Sequence, residues 1–203
     1  MAGLSVFVTV GTTHFDALIQ AVVDEGTLEA LRHKGYSKVT LQIGHGKFTP
    51  PEGQHQGVAL SHFRLKPSVA EDFAAADLVV SHAGAGSCLE ALQAGKPLVA
   101  VVNNTLMNNH QIELAEELAN NGYCFFCYPE TLQETIAKLD LSQLKLYSPG
   151  QPRLLAEYLD SVIKSFPHDT AAAVWCIPAA AMSHTDSCPC VSSLSDKLAK
   201  TEV

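Results

Sequence analysis

The stretch that decides the fold reads Asp77-Leu-Val-Val-Ser-His-Ala-Gly-Ala-Gly-Ser-Cys-Leu-Glu90. Its apolar start is typical of a buried strand, and a glycine-rich turn joins that strand to a helical run that reaches Gln93. Such a turn leaves backbone N–H groups unpaired at the positive end of a helix dipole, where they attract phosphates and other anions. The stretch therefore predicts an anion site at the end of a strand, with the Glu90 carboxylate about one turn into the helix.

This turn differs from two common nucleotide-binding motifs. Gly84 and Gly86 are followed by Leu89, so the G-x-G-x-x-G spacing of dinucleotide-binding folds is incomplete, and the stretch lacks the Gly-Lys-Ser/Thr ending of a P-loop. Glycines at such a position can simply allow tight packing of strand and helix. However, His82, Ser87 and Glu90 add polar groups that packing does not require, which favours a ligand site.

Strands and helices alternate on both sides of this stretch. Short apolar runs predict strands at residues 6–10, 39–43, 58–63, 78–81, 98–102 and 123–128. Helical spacing of apolar residues predicts helices between them, of which the last three are 108–121, 130–139 and 153–163. The alternation predicts an α/β fold, a Rossmann-like parallel sheet with helices on both faces.

Local signals set the expected boundaries. Thr12 or Thr13 suits the N-cap of the first helix, with Asp16 in its first turn, and Gly26 is expected to interrupt the helix. Pro67 suits the first position of a later helix. Residues 44–57 are rich in Gly and Pro, which predicts a loop.

The loops that follow the strands carry the polar residues. Parallel α/β sheets bind ligands at the carboxyl ends of their strands, and the loops at 11–13, 83–86 and 103–109 all lie there. We therefore expect the three loops to meet at one site. Taken alone, residues 11–13 are equally typical of a helix cap, and the amides at 108–111 suit either a cap or the recognition of hydroxyl groups.

Two histidines are acid–base candidates, because imidazole titrates near neutral pH. They are His14, on the loop after the first strand, and His82, at the start of the glycine-rich turn. A histidine in either position is more often a hydrogen-bonded structural group. The sequence shows no Ser/His/Asp constellation and no metal-ligand cluster.

The charge balance excludes several classes of function. The 203 residues carry 13 Lys and Arg against 21 Asp and Glu, a formal net charge of −8. This acidity argues against nucleic-acid binding and against a polybasic membrane anchor. No apolar run reaches the roughly 18 residues of a membrane-spanning helix, and the first apolar run is too short for a signal peptide. We expect a cytosolic chain without its own membrane span.

The cysteines are expected to be free thiols, as in most cytosolic proteins. Cys124-Phe-Phe-Cys127 resembles half of a zinc or redox motif, but the segment has the pattern of a buried strand. The other close pair, Cys188 and Cys190, lies where no pattern is sustained. We expect no metal site, one domain over residues 1–166, and a mostly disordered tail at 167–203.

Five motifs in a compatible order point to a family. They read Val6-Phe-Val-Thr-Val-Gly-Thr-Thr13, Leu41-Gln-Ile-Gly44, Ala76-Asp77 continuing into the opening stretch, Gly95-Lys-Pro-Leu-Val99, and Asn108-Asn-His-Gln-Ile-Glu-Leu-Ala115. Together they closely resemble the catalytic subunits of the eukaryotic UDP-N-acetylglucosamine (UDP-GlcNAc) transferase of asparagine-linked glycosylation, a family 28-like group of GT-B glycosyltransferases. The resemblance is dense over residues 4–128 and looser to residue 164.

The resemblance implies the C-terminal, donor-binding half of a GT-B enzyme. It implies inverting transfer of GlcNAc from UDP-GlcNAc to dolichyl-diphosphate-GlcNAc, which gives chitobiosyl-diphosphodolichol, without a bound metal or cofactor. It also implies a heterodimer, in which a membrane-anchored subunit supplies the acceptor side and holds this chain at the cytosolic face of the endoplasmic reticulum.

The resemblance also implies roles for residues. Glu90 matches the carboxylate that binds the uridine ribose, and uracil is expected near Leu65 and Lys66, read through backbone groups. His110 departs from the glutamine expected there, whereas the neighbouring glutamine agrees. His14 is the candidate base, although the base can also lie on the partner subunit. The full predicted substrate-binding set is Gly11, Thr12, Thr13, His82, Gly84, Ala85, Gly86, Ser87, Glu90, Asn109, His110 and Gln111.

Two other functions stay open on the sequence. A donor half without an acceptor wall is also compatible with a non-catalytic nucleotide-sugar-binding module or scaffold. An NAD-linked redox enzyme is disfavoured, because the dinucleotide fingerprint is incomplete.

Overall fold

The structure is a computed structural model that describes residues 3–103 and 109–148, without the side chains of residues 109–111. These ranges contain seven strands and six α-helices. The strands are β1 (Leu4–Thr9), β2 (Tyr36–Gln42), β3 (Gly53–His55), β4 (Val58–Phe63), β5 (Leu78–His82), β6 (Leu98–Val101) and β7 (Phe125–Cys127). The helices are α1 (Asp16–Val23), α2 (Glu25–His33), α3 (Ala70–Ala75), α4 (Ala85–Gln93), α5 (Asn109–Asn120) and α6 (Leu132–Ala137). Short 3-10 helices span Pro129–Thr131 and Leu141–Gln143.

All seven strands form one sheet in the order β3-β4-β2-β1-β5-β6-β7. Every neighbouring pair is parallel except β3 and β4, which are antiparallel. From β1 the chain proceeds to β2 on one side, and it later returns through β5 to the other side. The boundary between β1 and β5 is therefore the switch point at which sheets of this type bind ligands.

Apolar residues cover both faces of the sheet, which explains why the central strands are apolar almost throughout. On one face Val6 and Val8 of β1 pack in a cluster with buried residues of α1, α2 and α6. On the other face Phe7 packs in a cluster with buried residues of α3, α4 and α5. The predicted α/β fold with helices on both faces is confirmed.

The predicted start of α1 was wrong. Its N-cap is Phe15, and no side chain caps the helix. Thr13 closes the preceding turn instead, since its Oγ1 donates to the carbonyl of Val10 at 2.8 Å. Asp16 does occupy the first turn, as predicted.

The predicted interruption at Gly26 was also wrong. The chain breaks at Asp24, whose carboxylate accepts a hydrogen bond from the Gly26 N–H at 3.0 Å. Gly26 therefore lies inside the first turn of α2. An Asp N-cap determines the boundary here, because its carboxylate satisfies one of the otherwise unpaired N–H groups of the first turn.

Two further boundaries differ from the prediction. Residues 44–57 are not all loop, because β3 pairs with β4 across a turn in which Gln56 and Gly57 have φ of 52° and 80°. The next helix begins at Ala70 rather than at Pro67. Residues 64–69 therefore form a loop at the carboxyl end of β4, exposed at 64–68, and this loop contributes to the site below.

Some predictions lie outside the described residues: Asn108, the helix at 153–163 and the tail at 167–203. The predicted boundary between the domain and the tail, at residue 166, stays a prediction. Within the described ranges, no helix is both long enough and apolar enough to cross a membrane.

Candidate functional site

A cleft of about 460 Å³ opens at the carboxyl edge of the sheet. Four predicted site residues line it: Gly11, Thr12, Ser87 and Glu90. The loop after β4 forms the facing wall, and it includes Leu65 and Lys66, where a base was expected. The remaining lining residues are Gln42, Pro67, Ser68, Val69, Ala70, Phe73, Gln93 and Ala94. We call this the carboxyl-edge cleft.

The start of α4 presents free backbone donors. Ser87 lines the cleft, whereas Ala85 and Gly86 are exposed outside its lining. Gly84 is the N-cap in an extended conformation, and no side chain caps the helix. The hydrogen bonds of the turn use the N–H groups of Gly84, to His82 O at 2.6 Å, and of Cys88, to Gly84 O at 3.0 Å. Among the described residues, nothing accepts from the N–H groups of Ala85, Gly86 and Ser87. Three donors at the positive end of a helix form an anion site.

The loop after β1 offers fewer free donors than its sequence indicates. Gly11 has φ of +63°, and its N–H donates to Thr9 Oγ1 at 3.0 Å. The N–H of Thr13 donates to Val10 O at 3.3 Å. Gly11 and Thr12 line the cleft, and Thr12 makes no hydrogen bond within the described residues. Thr13 is exposed and does not line the cleft.

The loop after β2 supports the loop after β1. Gly44 has φ of +53°, and a Cβ on it would contact the carbonyl oxygens of Thr13 and Gly11. The His45 N–H donates to Thr13 O at 2.9 Å, and Arg64 Nη1 donates to Gly46 O at 2.8 Å. These backbone contacts leave no room for a side chain at position 44, so the two loops are fixed against each other.

His82 lies between the two glycine loops. A Cβ on Gly84 would overlap its Nε2, and a Cβ on Gly11 would lie 2.9 Å from its Cε1. Its Nδ1 lies 3.4 Å from Thr9 O. Burial lowers the pKa of His82, and the backbone hydrogen bond with Thr9 opposes that shift only in part. The imidazole is therefore a neutral spacer at neutral pH, next to the free donors of α4.

The lowered pKa of His82 predicts an acid-sensitive stability. Below its ordinary pKa of 6.5 the unfolded chain binds a proton that the folded chain binds only at lower pH. The free energy of unfolding therefore falls as the pH drops through 6.5. Urea titrations at pH ~7.5 and ~5.5, on either side of that value, measure this change. The free energy of unfolding should fall more between the two pH values for the wild type than for His82→Gln. Equal losses in the two proteins would contradict the buried neutral imidazole.

Lys66 fixes the wall of the cleft that follows β4. Its Nζ lies 2.8 and 3.0 Å from the two carboxylate oxygens of Asp72. The same atom lies 3.8 Å from the centroid of the Phe63 ring. The contacts join the end of β4, the exposed loop and α3, so the loop is held in one position relative to the cleft.

The other predicted site residues are only partly placed. His14 is exposed and does not line the cleft, and its role as a base stays a prediction. Asn109, His110 and Gln111 form the first turn of α5, close after β6 in the chain. Their side chains lie outside the description, so their sugar contacts also stay predictions.

The described cysteines are buried free thiols. Burial raises the pKa of Cys88 and Cys124 to about 12 and that of Cys127 to about 11. Within residues 3–103 and 109–148 no group of three His, Cys, Asp or Glu side chains could hold a metal ion.

Sequence reasoning missed the polar pair beneath the cleft. Thr9 Oγ1 donates to Gln42 Oε1, and the two residues are 1% and 5% exposed. Thr9 is the last residue of β1, and Gln42 is the last residue of β2. In the predicted strands 6–10 and 39–43 each is a polar residue next to the last position, and this was the signal that could have found them.

Comparison with known proteins agrees with this geometry. Residues 5–159 match the model of the glycosyltransferase family 28 C-terminal domain. A protein of Mus musculus named UDP-N-acetylglucosamine transferase subunit ALG13 is 43% identical over 182 residues, which are 79% of this chain and 16% of the relative. The Homo sapiens protein of that name is 52% identical over 122 residues, 60% of this chain and 11% of the relative. The chain therefore spans only a small part of these two relatives.

A shorter relative and two solved structures match over larger shares. The Saccharomyces cerevisiae protein with the same name is 30% identical, over 77% of this chain and 96% of the relative. An NMR structure of ALG13 superposes with a TM-score of 0.58 at 22% identity, covering 80% of this chain and 98% of that one. The crystal structure of Acinetobacter baumannii MurG superposes with a TM-score of 0.52 at 20% identity, covering 70% of this chain and 43% of that one.

The two superpositions establish the fold, that of one half of a GT-B glycosyltransferase. The match of the family model over three quarters of the sequence, together with the yeast relative, also establishes the family. This chain belongs to the glycosyltransferase family 28 C-terminal domain family.

Proposed function

We propose that this chain is the donor-binding, catalytic subunit of a two-component UDP-GlcNAc transferase. The observation that carries the proposal is the start of α4, where three N–H groups are free at the N-terminus of a helix whose Ser87 and Glu90 line the cleft. A diphosphate fits the N–H groups, and a ribose diol fits the carboxylate. The names of the mouse, human and yeast relatives support UDP-GlcNAc as the donor.

The proposed chemistry needs no metal from this chain. Departure of UDP places negative charge on the diphosphate as the bond from GlcNAc C1 to the phosphate oxygen breaks. The fixed N–H dipoles of Ala85, Gly86 and Ser87 stabilise that charge without reorganisation. The acceptor hydroxyl attacks the opposite side of C1 and loses its proton to a base, which inverts the anomeric centre.

The acceptor in this proposal is dolichyl-diphosphate-GlcNAc, and the product is chitobiosyl-diphosphodolichol. The relatives are named as subunits, which supports a second chain. We propose that this partner is membrane-anchored, supplies the acceptor side, and holds the chain at the cytosolic face of the endoplasmic reticulum. The base is either His14 or a residue of the partner.

The role of Glu90 gives the direct test of donor binding. We expect Glu90→Ala to weaken UDP binding by about 2 kcal/mol, roughly thirtyfold, because it removes a charge-assisted contact to the ribose. Isothermal titration calorimetry with UDP on the 203-residue chain measures the loss. Glu71→Ala is the matched control, because Glu71 is an exposed carboxylate on the neighbouring helix α3 that does not line the cleft. Similar UDP affinities in both variants would remove Glu90 from the site.

A transfer assay distinguishes an enzyme from a non-catalytic binding module. Purified chain is assayed with UDP-GlcNAc and the lipid acceptor, with and without the membrane subunit. Turnover by the pair supports the proposal. UDP binding without turnover in either preparation supports a nucleotide-sugar-binding scaffold instead.

A further inference from the structure

The loop after β4, residues 64–69, forms one wall of the carboxyl-edge cleft but has little backbone support. Within the part of the chain that the structure describes, no backbone group of residues 65–68 makes a hydrogen bond to another backbone group. The one hydrogen bond of Ser68 is local, since its Oγ accepts from the Ala70 N–H at 3.3 Å. Residues 65–68 are also exposed. An exposed span without backbone hydrogen bonds depends on side-chain contacts to keep one conformation.

Lys66 provides the long-range contact of this span. Its Nζ lies 2.8 and 3.0 Å from the two carboxylate oxygens of Asp72, in the first turn of α3. The same atom lies 3.8 Å from the centroid of the Phe63 ring, at the end of β4. The side chains of Lys66 and Asp72 are 41% and 15% exposed, so this ion pair is better shielded from water than a pair of fully exposed charges. One ammonium group therefore joins the loop to the strand before it and the helix after it.

The groups that hold Lys66 are themselves fixed by the core. The Phe63 ring stacks on the ring of Phe7, with centroids 6.3 Å apart and planes 10° apart. Phe7 is buried, and it packs at a right angle against Phe73 with centroids 5.2 Å apart. Phe73 follows Asp72 in α3 and lines the cleft. The contacts of Lys66 therefore attach the loop to a packed aromatic cluster beside the cleft.

A cation at this position has two conceivable roles, positioning of the loop or direct contact with a phosphate of the ligand. Lys66 is the only Lys or Arg among the described residues that line the cleft. However, its ammonium is already held by the Asp72 carboxylate and the Phe63 ring, and the free N–H groups at the start of α4 supply a separate anion site. We propose that Lys66 is a positioning residue that, through Asp72, pre-orders the loop after β4 for the donor nucleotide. The inference rests on the proposed function, in which the cleft binds UDP.

Pre-ordering raises affinity because a loop that moves freely before binding loses that freedom when the ligand binds. Without the ion pair, only a fraction of the free chains has the loop in its binding conformation, and the apparent affinity falls by that fraction. We expect Lys66→Met to bind UDP about fivefold more weakly than the wild type, the scale of one favourable ion pair. Methionine keeps most of the apolar stem of the side chain and removes the charge.

A double-mutant cycle with Asp72 distinguishes positioning from direct contact. Isothermal titration calorimetry with UDP compares the 203-residue wild type with Lys66→Met, Asp72→Asn and the double variant. If Lys66 acts through Asp72, each single variant loses about fivefold in affinity, and the double variant loses no more than either one. If Lys66 instead contacts a phosphate, Asp72→Asn releases the ammonium and keeps or raises the affinity, which would overturn the inference.

Two further variants separate positioning from a general loss of stability. Lys66→Arg retains a cation that can pair with Asp72 and lie over the Phe63 ring, and it should bind UDP within about twofold of the wild type. Lys138→Met is the matched control, because it removes the ion pair with Glu134 next to α6, away from the cleft, and it should leave UDP affinity unchanged. Circular dichroism melts identify any variant that does not fold. If Lys66→Met is such a variant, Asp72→Asn decides, since positioning predicts a loss and direct contact predicts none.

The outcomes separate this inference from the proposed function. If the wild type does not bind UDP, both are overturned. If the wild type binds UDP and Lys66→Met and Asp72→Asn bind it equally well, the inference fails and the proposed function stands. Losses that add in the double variant also overturn the inference, because the two residues then act independently. So does an equal loss in Lys138→Met, because the effect is then on the fold as a whole.

Discussion

Ala85→Pro is expected to lower the rate of GlcNAc transfer about a hundredfold while the protein remains folded. Proline removes one of the three free N–H donors at the start of α4, and the loss of one such donor costs about 3 kcal/mol in the barrier. Ala85 is the first residue of the helix, where proline is favoured. The preceding Gly84 has φ of −82° and ψ of 131°, a conformation that a following proline accepts. The measurement is the transfer rate with the acceptor subunit present.

The chain offers a matched control for this substitution. Glu25 is the exposed first residue of α2, and the preceding Asp24 has φ of −58° and ψ of 140°, also compatible with a following proline. Glu25→Pro therefore makes the same backbone change away from the cleft and should leave the transfer rate unchanged. If both variants retain full activity with normal thermal melts, the start of α4 does not hold the diphosphate.

The sequence predicted the parallel sheet and the loops at the carboxyl ends of its strands because these depend on patterns within single segments. Strands buried on two faces are apolar along their length, and glycines mark their carboxyl ends. The opening stretch accordingly predicted β5, α4 and the free donors between them. Residues 58–63 were predicted as a strand with the bounds that the structure gives.

The missed features depend on contacts between segments. The hydrogen bond of Thr9 with Gln42 exists because the register of β1 on β2 places them side by side, and no local pattern encodes that register. The N–H groups of Gly11 and Thr13, both predicted to bind substrate, are used within the chain, since Thr9 and Val10 accept from them. Strand β3 has the polar sequence Gly-Gln-His and forms only because the turn at residues 56–57 aligns it with β4.

The late start of α3 has a similar cause. Proline suits the first turn of a helix, so Pro67 indicated a start that the structure places three residues later, at Ala70. The contact of Lys66 with Asp72 spans the intervening segment. The contact holds that segment as a loop, and the loop forms one wall of the cleft.

Gly44→Ala should destabilise the fold by roughly 4 kcal/mol or more, a large fraction of the stability of a typical domain. At φ of +53° any side chain adds strain of about 1–2 kcal/mol. The new Cβ would also meet Thr13 O and, at 2.8 Å, Gly11 O. Both are backbone atoms, so no rotamer change relieves the overlap. Urea unfolding of wild type and variant measures the free-energy difference.

Gly95→Ala separates the two causes of that destabilisation. Gly95 has φ of +67°, but a Cβ there meets nothing within 4 Å, so this variant should lose only the strain of about 1–2 kcal/mol. The additional loss of unfolding free energy in Gly44→Ala then measures the overlap of the new Cβ with the loop after β1. Because this contact sets the position of Gly11 and Thr12 in the cleft, Gly44→Ala should also weaken UDP binding in whatever fraction remains folded, and Gly95→Ala should not. Equal destabilisation by the two variants would show that the loops do not support each other as described.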